Sequence, residues 1–341
     1  MIRDVLERLL RREDLPRDEA FSLMNAIMSG ELTDVQIAGV VVALRAKGET
    51  VDEIAGFVSA LRERAVRVTP SRDGLVDTCG TGGDGTHTFN ISTAAAFVAA
   101  GAGVGIAKHG NRALSSQCGS SDVLEALGVK TVAPERVAEV IDRAGIGFMF
   151  APAHHPALKH AANVRRELGV RTVFNLIGPM ANPAFVRRQL VGVFDGALTE
   201  TVARVLASLG SEKVYVVHGS DGSDEVTITG TTRVTALNDG RVETFTFEPE
   251  AVGMQRAAKG ALAGGAPEEN ATAILSILDG AHGPKRDAVV LNAGFVISAA
   301  GRAESIQEGV HLAAESVDSG RARAALDNVR TIAGRLAAVA G

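Results

Sequence analysis

The chain has 341 residues, 46% hydrophobic and 22% charged, enough to bury a large core and to form more than one domain. A net charge of −5 and a pI near 5.9 leave no overall basic surface for nucleic acid, and one Tyr, no Trp and 12 Phe make no platform for stacking bases. Two cysteines, Cys79 and Cys118, build no disulfide framework, so the expected setting is the reducing cytoplasm.

The opening MIRDVLERLL places acids among its first residues and shows no signal peptide. The longest uncharged apolar stretch, 94–107, is glycine-rich and too short to span a bilayer, so no membrane partner is expected. Residues 1–69 read as helices only. Thr33 with Gln36 and Thr50 with Glu53 have the spacing of capping boxes, and Gly30 and Gly48 stand where the preceding helices should stop. Val51, Ile54, Ala55, Val58, Leu61 and Ala65 form one apolar stripe at helical spacing. Residues 70–74, with Pro70 and Gly74, break the pattern and mark a domain boundary, so the second domain is expected over 70–341.

From Leu75 the order becomes strand, glycine-rich loop, helix. A strand at 75–76 enters DTCGTGGDGTHTFNIST (77–93), a helix runs on from Ser92 through the alanines, and a second short strand at 104–107 enters KHGNRALSSQCGSS. Further strands are expected at 189–194, 213–217, 233–237 and 289–291. Such alternation predicts an α/β fold: a largely parallel central sheet with flanking helices, plus the smaller all-helical domain. Both polar loops then fall at carboxyl ends of strands, where such sheets bind ligands.

Gly80, Gly82 and Gly85 meet the G-x-G-x-x-G spacing, but three phosphate-binding readings compete. A Walker A loop needs Lys and Ser/Thr after the last glycine, and Thr86-His87 stand there instead. A Rossmann loop needs the helix to open within the glycines; here Thr86 to Asn90 intervene, and the next strand ends in Lys108-His109 rather than an acid. An NADP enzyme survives as a weaker alternative, its 2′-phosphate meeting that basic end. The third reading is a dedicated diphosphate cradle. Glycine N–H groups approach the ligand closely, Asn90, Ser92 and Thr93 add donors at a helix N-terminus, and Lys108 adds a positive charge. Asn111, Ser115, Ser116 and Ser120 line the second loop. Plain turn residues would look similar, but two such loops at consecutive strand ends favour the cradle.

GTGGDG, NIST, KHGNRALSS, GSSDVLEALG, FAPAHHPALKHAANVRRELGVRTVFNLIGPMANPA and DGSDEVTITG together closely resemble the anthranilate phosphoribosyltransferase family, over most of the chain. The resemblance implies transfer of the phosphoribosyl group of PRPP to the amine of anthranilate in tryptophan biosynthesis. It further implies Mg²⁺ dependence, a nucleoside phosphorylase/phosphoribosyltransferase-like fold, and a homodimer formed through the helical domain, which a segment near 160–185 would join. By motif position, PRPP would meet Gly80, Gly83, Asp84, Thr88, Asn90, Ile91, Ser92 and Thr93 in the first loop. In the second it would meet Lys108, His109, Gly110, Asn111, Arg112, Ala113, Leu114, Ser115, Ser116 and Ser120. Asp224, Glu225 and Ser92 match the metal ligands, with Lys108, Asp224 and Glu225 as the catalytic set; Gly80, Asn111 and Arg165 match positions that meet anthranilate.

The residues suit that chemistry. Asp224-Glu225 offers hard oxygen ligands, and a loop with Gly219 and Gly222 would let neighbours that face apart on a strand converge. Alone, the pair would read as an acidic surface turn. Arg165, preferred over Arg166, could grip a carboxylate with two parallel bonds, although Arg165, Arg166 and Arg171 would also serve as a solvated helix face. His154, His155 and His160 lack zinc-site spacing and more simply shape the acceptor's entry or help close the two domains. A nucleoside phosphorylase of the same fold family is the nearest alternative, opposed by Asn111 and by Asp224-Glu225. A non-catalytic nucleotide-binding module is a third.

Overall fold

The computed structural model describes residues 2–112 and 117–338. Four helices open the chain: α1 (Ile2–Leu10), α2 (Arg17–Met28), α3 (Asp34–Lys47) and α4 (Val51–Glu63). Both expected capping boxes form. Thr33 Oγ1 accepts from the Gln36 N–H while Gln36 Oε1 accepts from the Thr33 N–H, and Thr50 and Glu53 repeat the exchange. Buried Glu53 also accepts from the Leu15 N–H at 2.9 Å and pairs with Lys47 at 3.0 Å, tying the α1–α2 connection to α4.

There follow β1 (Val76–Gly80), α5 (Ile91–Gly101), β2 (Ile106–Gly110), α6 (Ser120–Ala126), α7 (Pro134–Ala144) and β3 (Ile146–Phe150). After them come α8 (Ala151–His154), α9 (Lys159–Leu168), α10 (Val173–Leu176), β4 (Arg188–Gly192), α11 (Thr199–Ser208), β5 (Lys213–Gly219), β6 (Thr232–Asn238) and β7 (Arg241–Phe247). The chain closes with α12 (Pro267–Leu278), α13 (Pro284–Ala299), α14 (Ile306–Asp318) and α15 (Arg321–Ala338). The strands form one sheet in the order β3-β2-β1-β4-β5-β6-β7, parallel from β3 to β5 and antiparallel beyond, as the largely parallel expectation requires.

Side chains alternate across each strand, so the sheet feeds apolar cores on both faces. On one face Val76, Ile106, Leu190 and Val217 pack with Phe97 of α5 and Phe295 of α13. On the other, Val191, Val193, Val214 and Val216 share a core with α11, with Phe57 of α4, Ile27 of α2 and Phe174 of α10. The N-terminal helices therefore share this core with α9, α10 and α11, and α4 packs on α11, which itself lies on β5 and β6. Each such large apolar side chain contributes about 1.5–3 kcal/mol by leaving water.

One expected strand is corrected. Residues 289–291 lie inside α13, where every residue from Ala288 to Ala299 is buried. A helix covered on all sides has no polar stripe, so its apolar run reads like an interior strand. Strands β3 and β7 were not foreseen. Five-residue β3 follows directly on the Gly145 cap of α7, and β7 is an edge strand whose residues are mostly exposed or half-buried.

Candidate active site

The strand order reverses at β1, with β2 and β3 on one side and β4 on the other, and open α/β sheets bind ligands at such a point. The loops after β1 and β2 leave the sheet there. In the first, Gly82, Gly83 and Gly85 take φ of +66°, +67° and +77°, a region that favours glycine. Gly80 serves another purpose: a Cβ on it would lie 2.2 Å from Asp224 Oδ2. The loop is closed by a segment that sequence reasoning missed. Phe89 N–H donates to the Leu262 carbonyl at 3.0 Å, Gly264 N–H donates to the His87 carbonyl at 2.8 Å, and Thr88 forms an antiparallel bridge with Ala263. Asn270 of α12 donates to Asn90 Oδ1 at 3.0 Å, and Asn90 Nδ2 reaches the Cys118 carbonyl at 3.2 Å. Asn90 thus spans the two loops.

At the start of α5, Ile91 and Thr93 are buried and Ser92 is half-buried. The Ile91 side chain belongs to the core and its N–H donates to the Phe89 carbonyl at 2.7 Å. Thr93 Oγ1 is buried with no hydrogen-bond partner among the described residues.

The loop after β5 swings Asp224 and Glu225 under these glycines. Asp224 Oδ2 accepts from the Gly82 N–H at 2.7 Å and Glu225 Oε1 from the Ser92 N–H at 3.1 Å. Asp84 adds a third carboxylate, its Oδ2 3.4 Å from the Asp224 N and bonded to the Thr86 hydroxyl. Asp221 braces the loop, accepting from Ser223 Oγ at 2.6 Å, Thr227 Oγ1 at 2.5 Å and Thr229 Oγ1 at 2.6 Å. Burial, then the Asp84 charge, pushes the Asp224 carboxyl up to about 6; burial, then Asp224, pushes Glu225 up to about 8. Crowded buried carboxylates with raised pKa fit a divalent cation, which would restore the charged forms. Among the described residues no ready-made cluster of three His, Cys, Asp or Glu ligands exists. Asp224, Glu225 and Ser92 offer hard oxygen atoms, the donor type that Mg²⁺ takes together with water and phosphate oxygens.

Lys108, on β2, is 2% exposed; its ammonium donates to the Thr78 carbonyl and lies 3.3 Å from Ser92 Oγ. Gly110 lies against Ser120, whose hydroxyl donates to the Asn111 carbonyl at 3.2 Å. Asn111 Oδ1 accepts from the Arg112 N–H at 2.8 Å, while the Arg112 guanidinium pairs with Asp122 and Glu125 on α6. The expected contacts at Ala113, Leu114, Ser115 and Ser116 lie outside the described residues.

Across the loops lies the segment holding α9 and α10. Arg165 is half-buried over the Phe174 ring at 5.8 Å, its pKa lowered by burial, and among the described residues it has no carboxylate partner. Arg166 is exposed and donates to Asn163 Oδ1. The structure shows no direct contact from Arg165 to Gly80 or Asn111. The segment meets the loops through Arg171, which donates to the Gly83 carbonyl and stacks on Phe194 at 4.3 Å, and through His109 Nδ1, 3.3 Å from the Gly178 carbonyl. Arg171 was foreseen only as a possible surface arginine. The three histidines part company: His155 packs edge-on against His109 at 5.2 Å, His154 Nδ1 bonds to the Val66 carbonyl, and His160 lies under Gly30. Burial first, then neighbouring histidines, pushes His109 down to about 3 and His155 to about 4, so both rings stay neutral near pH 7.

Comparison with known proteins agrees with this geometry. A family model described as "Glycosyl transferase family, a/b domain" matches residues 72–323, and one described as "Glycosyl transferase family, helical bundle domain" matches residues 3–65. The chain is 54% identical over 327 residues to the anthranilate phosphoribosyltransferase of Moorella thermoacetica, covering 96% of each. To that of Methanocorpusculum labreanum it is 53% identical over 336 residues, covering 98% of each. It superposes on the crystal structure of the Thermus thermophilus anthranilate phosphoribosyltransferase with a TM-score of 0.92 at 46% identity, covering 97% of this chain and 99% of that one. On the Saccharomyces cerevisiae enzyme in complex with PRPP and Mg the TM-score is 0.90 at 27% identity, covering 98% of each. The chain belongs to the anthranilate phosphoribosyltransferase family.

Proposed function

We propose that this chain transfers the phosphoribosyl group of PRPP to the amine of anthranilate, giving N-(5-phosphoribosyl)anthranilate and pyrophosphate for tryptophan biosynthesis. One observation carries the reading: a glycine loop, a buried lysine and the sunken pair Asp224–Glu225 meet where the sheet's strand order reverses. In this reading Gly80, Gly83, Asp84, Thr88, Asn90, Ser92 and Thr93 cradle PRPP from one side, and Lys108 to Arg112 with Ser120 from the other. Lys108 lies beside Ser92 and balances negative charge on the phosphates. Asp224, Glu225 and Ser92 hold the Mg²⁺ that accompanies the diphosphate, which when bound neutralises charge on the departing pyrophosphate.

The acceptor's amine is aromatic and already neutral at physiological pH, so the site needs no base to activate it. Its work is positioning and stabilisation of the leaving group. Arg165, a half-buried guanidinium without a protein carboxylate among the described residues, supplies the partner for the anthranilate carboxylate. Neutral His109 and His155 form an aromatic wall that costs the ring no competing charge. The helical domain at 1–69 is joined by the segment near 160–185, with which it shares one apolar core. It exposes Leu10, Val35 and Val42, and a second copy of the chain covers these in a cytoplasmic homodimer.

The reading is tested by mixing the protein with PRPP, Mg²⁺ and anthranilate and following loss of anthranilate fluorescence. Fluorescence that persists, together with phosphate-dependent cleavage of a nucleoside, would transfer the assignment to a nucleoside phosphorylase.

A further inference from the structure

β1 pairs with β4 along its whole length, and β2 does the same with β3. Between β1 and β2 the register holds only at Val76 and Ile106. Parallel strands bond at even intervals. Continued, this register would join the Thr78 N–H to the Ala107 carbonyl and the His109 N–H to the Thr78 carbonyl. Side chains take three of these four groups instead. The His109 N–H donates to Asp77 Oδ1 at 3.1 Å, the Ala107 carbonyl accepts from Asn182 Nδ2 at 2.9 Å, and the Thr78 carbonyl accepts from Lys108 Nζ.

Two of the three bridges are joined. Asn182 Nδ2 also donates to Asp77 Oδ2 at 2.7 Å, and Asn182 Oδ1 accepts from the Ala184 N–H at 2.8 Å, anchoring the wedge on the chain that leads into β4. Asp77 is fully buried, and Asn182 and Lys108 are 1% and 2% exposed. A buried carboxylate with no direct ion pair is costly, and an unbroken ladder would satisfy the same backbone groups without one. What the split supplies is a gap between the strands, at their carboxyl ends, across which the Lys108 side chain reaches Ser92 at the mouth of α5.

We infer that Asp77 and Asn182 are positioning residues for the phosphoribosyl transfer, wedging β1 from β2 so that Lys108 is held across the seam beneath the phosphate loops. Neither residue faces a ligand, so they act through Lys108 and through the spacing of the two loops. The inference rests on the transferase reading above.

Asp77→Asn keeps the shape and the acceptor for His109 but sets an amide against the Asn182 amide. Binding of PRPP with Mg²⁺ is measured by calorimetry, with Tm and the anthranilate KM, in the wild type and in a Lys108→Met background. The expected result is PRPP affinity weakened at least tenfold by Asp77→Asn, with the anthranilate KM changed less than twofold. In Lys108→Met the same change should add less than a further twofold loss, because the residue it acts through is gone. A lower Tm with unchanged PRPP affinity, or an equal loss in both backgrounds, would overturn the inference and leave Asp77 a plain core residue. Asn182→Ser, which spares the Asp77–His109 bond, should weaken PRPP about threefold or more; unchanged affinity there overturns it even where Asp77→Asn does not fold. Wild-type protein that ignores anthranilate refutes the transferase reading, whereas active wild type with indifferent variants refutes only the wedge.

Discussion

Gly192, the last residue of β4, offers a sharp test of how the metal-binding loop is seated. A Cβ built on it would lie 1.6 Å from the Asp224 carbonyl oxygen and 2.4 Å from the Asp224 carbonyl carbon. These are backbone atoms that no rotamer change can move. Restoring ordinary contact requires the loop to retreat by about 2 Å. Such a shift would break the 2.7 Å Gly82–Asp224 and 3.1 Å Ser92–Glu225 bonds, both to carboxylates. A hydrogen bond to a charged acceptor contributes about 1.5–3 kcal/mol and one to a neutral acceptor, as Glu225 is near pH 7, about 0.5–1.5, so Gly192→Ala should cost about 2–4.5 kcal/mol if the loop moves as a unit. At about 2.1 cal/mol/K of unfolding entropy per residue, that corresponds to a fall in Tm of roughly 3–6 °C. Because Asp224 and Glu225 move together, the Mg²⁺ concentration for half-maximal PRPP-dependent turnover should rise at least tenfold. Calorimetric melting and a Mg²⁺ titration read the two effects separately. Gly178→Ala is the control, since its added Cβ would meet nothing within 4 Å. A Gly192→Ala protein with wild-type Tm and Mg²⁺ response would refute the seating described here.

Asp224→Asn should weaken Mg²⁺-dependent turnover tenfold or more, checked by the same titration. Since burial holds Asp224 near 6 and Glu225 near 8, Mg²⁺ should also bind more tightly as pH rises from about 6 to 8, with proton release visible in buffers of different ionisation enthalpy. Arg165→Ala should raise the anthranilate KM about 10- to 100-fold, the worth of a charge-assisted pair, with little change in the PRPP KM; steady-state kinetics with each substrate varied decides it. Burial holds His109 down to about 3 and His155 to about 4 in the fold, against about 6.5 when unfolded, so their contribution is complete above pH 6.5 and is lost as pH falls toward 4 for His155 and toward 3 for His109. Each loses about 1.4 kcal/mol per pH unit in that window, and His155→Phe should flatten the acid limb of a Tm–pH curve by that slope. If α1 and α3 form the dimer face, sedimentation at micromolar protein should show a dimer, and Val35→Glu should give monomer.

Local chemistry made much of the molecule readable in advance. Thr33, Gln36, Thr50 and Glu53 cap their own helices through bonds that span three residues, so their signal is complete within one turn. The first loop declared itself because Gly82, Gly83 and Gly85 need a backbone conformation that other residues rarely take. The helix at 284–299 was hidden for the opposite reason: burial on every side erased the polar stripe that would have marked it. Arg171, Asn270 and the 260–265 segment were also missed, because each acts on a loop distant in the chain and carries no local pattern of its own.

Spacing along the chain, then, determined the caps, the two polar loops, the alternation of strand and helix and the family they point to, since these depend on neighbours a few residues apart. Tertiary structure alone decided that Asp224 is sunk beneath Gly80 and Gly192, that Arg165 rather than Arg166 is the more buried arginine, and that β1 and β2 part around Asp77 and Asn182. Those are contacts between residues up to about 140 positions apart, where burial and an unpaired backbone group, not sequence spacing, set what each side chain must do.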